Sequence, residues 1–176
     1  LAVCTDVLEP RHDEYYEALR QLSGYSQYTL LVRYERDAVL HELLAHNPEA
    51  VRLREEIVGT SPEVTRSQRA QLEEIVDTVM ESSKPAEAGP ILEQLGDVAS
   101  RMSLRREREA DDVVEIALLV RDDALTRLTS LVSSLATANA DHLRFQLVGP
   151  QAPHDFVEME PFSGHFDAPS LGCADR

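Results

Sequence analysis

Apolar residues recur along this chain with two different periods, and the changes of period mark out the elements. In YSQYTLLVRYE (25–35), Tyr28, Leu30, Val32 and Tyr34 alternate with Thr29, Leu31 and Arg33, the two-residue period of a strand. Upstream, Leu1–Leu8 reads as a short strand. RHDEYYEALRQLSG then reads as a helix, with Tyr15, Leu19 and Leu22 at i, i+4, i+7 and Gly24 as its stop. Residues 36–47 are helical on Val39, Leu43 and Leu44. Asn47–Pro48 breaks that helix, and EAVRLREEIV resumes one to about Val58. Ser61–Pro62–Glu63 carries the N-cap, the N1 proline and the first-turn acid of a helix start. Leu72, Ile75, Val76 and Val79 carry that helix to about Ser82. SSKPAEAGP (82–90) reads as a turn, and a further helix starts at Ile91 and could extend through SLRREREADD.

The last third changes period again. DVVEIALLVRD (112–122) is a nearly continuous apolar run bounded by acids, which predicts a strand buried on both faces. Asp122 or Asp123 then caps a helix whose Leu125, Leu128, Val132 and Leu135 keep helical spacing. DHLRFQLVG (141–149) is the closing strand. This strand–helix–strand unit predicts a right-handed crossover whose two strands lie parallel, adjacent or one strand apart. The whole reads as a helix-rich α+β fold, a small mixed sheet packed with several helices. Residues 158–176 hold Pro, Gly and Ser without a period and predict a disordered tail.

Composition narrows the function. The 176 residues carry a net charge of −15, and 16 of the 17 basic residues are Arg, with Lys84 the exception. Nucleic acid is an unsuitable partner for so acidic a chain, because phosphate contacts need a basic face. No apolar run is long enough for a transmembrane helix. The two cysteines, Cys4 and Cys173, form no C-x-x-C and suit a reducing compartment. The chain opens without Met inside an expected strand, as a piece of a longer protein would.

Catalytic signatures are lacking. There is no P-loop, G-x-G-x-x-G or G-x-S-x-G. In HELLAH, His41 and His46 are five apart, one position too many for a zinc pair on one helix face. Asp111–Asp112 and Asp122–Asp123 flank the apolar run; they read as a strand terminus and a helix cap rather than an acid–base pair. The four arginines of 101–108 read as a solvated helix face, with Arg105 pairing Glu109.

One stretch resists so plain a reading. In LRFQLVGPQAPHDFVEM (143–159) a strand meets Gly149–Pro150, Pro153 keeps Ala152 extended, and the apolar pair Phe156–Val157 follows at once. The prolines stiffen the segment at low entropic cost. Phe156 and Val157 either return to plug the edge of the core, the favoured reading, or present an apolar contact to a partner. As a plug, Phe156 should pack on Leu128, Leu131 or Leu135, with Gln151 and His154 facing outward as candidate partner contacts.

LVGPQAPHDFV resembles the G-P-W-P-P-Y-S-F-V signature near the C-terminus of the gas vesicle GvpL/GvpF family. Gly149, Pro150, Pro153, Phe156 and Val157 match it; Gln151, Ala152, His154 and Asp155 depart from it. NPEAVRLREEI, ILEQLGDVAS and ALLV (117–120) resemble further segments of the family in the same order. The resemblance implies a minor, non-enzymatic gas vesicle component with no cofactor. It would act in vesicle assembly through contacts with the shell protein GvpA and other accessory proteins. It also implies that residues 1–24 end an N-terminal domain or linker and that 25–157 form the helix-rich domain. The competing reading is a small acidic enzyme or ligand-binding module, with a pocket at the strand–helix–strand unit drawing on Asp122, Asp123, His142 or His154.

Overall fold

The computed structural model describes residues 9, 11–106 and 109–157. The strand expected at Leu1–Leu8 and the expected tail of 158–176 lie outside the described residues. In chain order the elements are α1 (His12–Gln21), β1 (Tyr25–Tyr34), α2 (Arg36–His46), α3 (Pro48–Ile57), α4 (Arg66–Gly96), β2 (Arg101–Leu104), β3 (Asp112–Arg121), α5 (Leu125–Ala138) and β4 (Leu143–Gln151). Short 3₁₀ turns at Asp122–Ala124 and His154–Phe156 complete them. The fold class is α+β, as the periodicities predict.

The four strands lie in the order β2-β3-β1-β4, each antiparallel to its neighbours. β3 and β4 are therefore parallel and one strand apart, because β1, made before most of the helices, fills the place between them. The sheet is thus antiparallel at every pairing rather than mixed. One face is apolar and covered by helices. Tyr28, Leu30, Val32 and Tyr34 of β1 and Ile116, Leu118 and Val120 of β3 join Leu53, Met80, Leu95, Leu128 and Val132 in a single core. Seven of these side chains, Leu30, Val32, Leu53, Leu95, Leu118, Val120 and Leu128, have no exposed surface.

Three departures from expectation have clear causes. Ser61–Pro62–Glu63 starts a turn, in which the Thr65 amide and hydroxyl both donate to the Ser61 carbonyl, at 3.2 and 3.0 Å. The helix begins only at Arg66. It then runs for 31 residues, straight through the expected turn at 82–90 and through Pro85 and Pro90. Each proline removes one backbone donor, but both are exposed, so the carbonyls they free can be hydrated. On the opposite side Leu72, Val76, Met80, Lys84, Ile91 and Leu95 form a buried stripe that never breaks step. Finally, Arg101–Leu104 is not helical but pairs with Leu119–Ile116 as an edge strand.

Candidate functional site

The second face of the sheet is built differently. Gln27, Thr29, Glu115, Ala117 and Leu119 alternate with the core positions and so point away from α4 and α5. Gln27 is fully buried, and Thr29 and Glu115 are 7% exposed. Buried polar groups of this kind need partners. The stretch from Gln151 to Val157 supplies them, lying across the face as a strap.

The strap leaves the sheet later than its prolines suggest. β4 continues through Gly149 and a cis Gly149–Pro150 bond to Gln151, with a register shift opposite Tyr28. A proline is tolerated there because β4 is an edge strand. Gly149 has φ +156°, and a Cβ on it would lie 2.4 Å from Cδ1 of the Tyr28 ring. The backbone thus approaches the ring as only glycine allows. Beyond it, the Gln27 amide nitrogen donates to Asp155 Oδ2 at 2.6 Å, and the Asp155 backbone N–H donates to Gln27 Oε1 at 3.1 Å. Arg105 bridges the two layers. Its guanidinium donates to Asp155 of the strap and to Glu115 of the sheet, the latter at 3.2 Å. The Asp155 hydrogen bond, followed by that of Glu115, holds the Arg105 pKa above its ordinary value against the opposing effect of burial. Such charge-assisted bonds are roughly twice as strong as neutral ones.

Phe156 is buried, 4% exposed, but not where the sequence suggests. It packs with Ala117 and Leu119, flanked by Leu22 and Tyr25, on the face away from Leu128, Leu131 and Leu135. The sheet separates it from those residues. Arg101 closes over it, with its guanidinium carbon 5.6 Å from the ring centroid and a 3.4 Å hydrogen bond to the Phe156 carbonyl. Val157 remains 40% exposed. Together with Phe156, Arg101, Ser100, Leu119 and the end of α1, it lines a cleft of about 340 Å³. His154 is exposed beside the strap. Gln151 does not face fully outward; it is half-buried and accepts a 3.5 Å hydrogen bond from Thr29.

Arg105 thus pairs Glu115 and Asp155, not Glu109. Glu109 instead pairs with Arg33 at 3.2 Å. Sequence reasoning missed Arg105 and Gln27 as the clamp. The visible signal was a polar residue, Gln27, in phase with the outward positions of β1. The residues of the alternative enzyme reading do not converge. Asp122 accepts a hydrogen bond from Ser26 at 2.8 Å, and Asp123 pairs with Arg121 at 2.8 Å. His142 lies at the other end of the sheet, between Asp141 and Glu87. Asp112 is buried against Arg33 at 2.7 Å. Among the described residues, no three His, Cys, Asp or Glu side chains are placed to hold a metal ion. Nor is any helix among them long and apolar enough to cross a membrane.

The overall fold is shared with solved gas vesicle proteins. The crystal structure of GvpF from Anabaena sp. PCC7120 superposes with a TM-score of 0.66 over 90% of this chain and 64% of that one, at 16% identity. GvpF from Microcystis aeruginosa gives a TM-score of 0.60 over 88% and 63%, at 17% identity. The family pattern described as "Gas vesicle synthesis protein GvpL/GvpF" matches residues 2–158, so the chain belongs to that family. Gas vesicle protein F of Streptomyces sp. (strain CB03234) is 32% identical over 152 residues, 86% of this chain. The chain spans about 63% of that relative's length.

Proposed function

We infer that this protein is a minor gas vesicle accessory protein, resident at the gas vesicle. It acts in vesicle assembly by binding the shell protein GvpA and other accessory proteins, without catalysis or a cofactor. The observation that carries this reading is the family match over residues 2–158. The geometry of the strap supports this reading. The strap is fixed by Arg105, Gln27 and the buried Phe156, which leaves His154 exposed and Val157 lining the cleft. A stiff, pre-ordered segment binds with little further loss of entropy.

The test is a pull-down of purified shell protein by the full chain, with melting temperatures measured in parallel. His154→Ala combined with Val157→Ser should keep the fold and weaken capture. Phe156→Ala should lower stability first and binding only as a consequence. If Phe156→Ala leaves stability untouched but abolishes capture, Phe156 is itself interface and the plug reading fails. If the wild-type chain captures neither the shell protein nor any accessory protein, the assembly reading fails.

A further inference from the structure

A second cleft lies on the helix-covered side, where β1 ends. It encloses about 300 Å³ between α2, α4 and the start of β4. Val39, Leu43, Val79 and Met80 give it an apolar lining, and Glu42, His46, Ser83, Glu87 and His142 give it a polar rim. Tyr34 forms part of its wall. Tyr34 is only 6% exposed, yet its hydroxyl has no hydrogen-bond partner. A buried hydroxyl left unpaired is costly, so one in the wall of a cleft points to a missing ligand atom.

The charges around the cleft choose the sign of that ligand. Glu42 and Glu87 line it, Asp141 sits 2.8 Å from His142, and Glu81 sits 2.8 Å from Lys84. Around the cleft these four carboxylates thus outnumber one ammonium and the two imidazoles of His46 and His142. Burial, and then the charge of Glu87, push the Tyr34 phenol up to about 12, so it stays a neutral hydroxyl. An anion would meet uncompensated repulsion there. A bare metal ion would lack three converging ligands among the described residues.

We propose that this cleft binds an organic cation with an apolar stem, an alkylammonium or alkylguanidinium group. The stem lies along Val39, Leu43, Val79 and Met80. The head pairs with Glu42 and Glu87, and the Tyr34 hydroxyl is satisfied by the occupant. Two sources share this chemistry: a lysine or arginine side chain of a partner protein, and a free polyamine. The site is independent of the strap, which lies on the other face of the sheet.

The experiment is a titration of the full chain followed by NMR of the Tyr34 ring and the Leu43 and Val79 methyls. The probes are n-butylguanidinium and n-butylammonium, with n-butanol and butyrate as neutral and anionic controls. Both cations should shift these signals at millimolar concentration, and the controls should not. Glu42→Gln, at an exposed position, should weaken binding by about tenfold, as loss of one charge-assisted bond does. Tyr34→Phe should weaken it by about two- to tenfold. Spermidine and a blocked Gly-Arg-Gly peptide separate the two sources, since the source with the higher affinity is the fitting one. No shift with any cation, or an equal shift with butanol, would overturn the proposal.

Discussion

The two faces of the one sheet are held by opposite means. The helix-covered face is closed by apolar side chains from α2 to α5, and Leu30, Leu118 and Leu128 are wholly excluded from water. Among the described residues, the apolar cluster of the strap-covered face has three buried members, Ala117, Leu119 and Phe156, and the face is closed by Arg105, Gln27 and Asp155. Apolar packing is undirected and tolerates approximate shapes, whereas hydrogen-bonded charge pairs demand one geometry. The first face therefore determines that the domain folds. The second determines where residues 151–157 are presented.

The largest effect that can probe this contrast comes from the first face. Leu30→Ala should cost about 2–5 kcal/mol and lower the melting temperature of the whole domain. An unchanged melting curve would show that the core is not centred on β1. Phe156→Ala should cost about 3 kcal/mol, the low end for phenylalanine, because its cluster is small. Its signature should be local: amides of residues 151–156 should lose hydrogen-exchange protection before those of β3. Uniform loss across the sheet would mean that both faces melt as one unit, and the contrast would collapse.

Smaller effects sharpen the picture. Arg105→Met removes the cation that joins Glu115 of the sheet to Asp155 of the strap, and should cost about 2 kcal/mol. Asp155→Asn in the same background should add much less than it does alone; strict additivity in the double-mutant cycle would argue against the clamp. Gly149→Ala should cost about 1–2 kcal/mol, since its methyl must displace the Tyr28 ring. A neutral outcome in chemical denaturation would show that the ring moves freely.

The smallest effect is a pH dependence. Burial pushes the His142 pKa down, but the hydrogen bonds to Asp141 and Glu87 together raise it above 6.5. A raised folded value means that the stability His142 adds is complete below the ordinary value. It is lost as pH rises through the folded one. The melting-temperature difference between the wild type and His142→Gln should therefore shrink between mildly acidic and mildly alkaline buffer. A difference that grows with pH would reverse the assignment.

What could be read from the sequence follows the same divide. Tyr28, Leu30, Val32 and Tyr34 alternate cleanly because one side of β1 meets the helices, so periodicity alone revealed the strand and its core face. β3 was legible as a doubly buried run for the complementary reason that the strap covers its other side. In the sequence Pro85 and Pro90 read as a turn that divides helix α4 in two. The stripe of Met80, Lys84, Ala88, Ile91 and Leu95 passes through both, but Lys84 disguised it as polar. The placement of Phe156 was not legible. A segment that leaves an edge strand can fold back over either face, and the choice rests on Gln27 and Arg105, 128 and 50 residues away from Asp155. The cleft at Tyr34 was equally hidden, since it joins residues of α2, α4 and β4 that share no motif.

The position of β1 also sets a timetable. It is the central strand, yet both of its partners are encoded far downstream, β3 from Asp112 and β4 from Leu143. A ribosome adding about 5–20 residues per second needs roughly 4 to 16 seconds between finishing β1 and beginning β3. During that interval β1 has neither of its two sheet neighbours, and open edges of this kind invite pairing with other chains. The sheet closes late, around its oldest member, and the strap is the last described segment to be made. Until β4 has been added, a nascent chain therefore carries β1 with an edge that its own sheet has yet to pair.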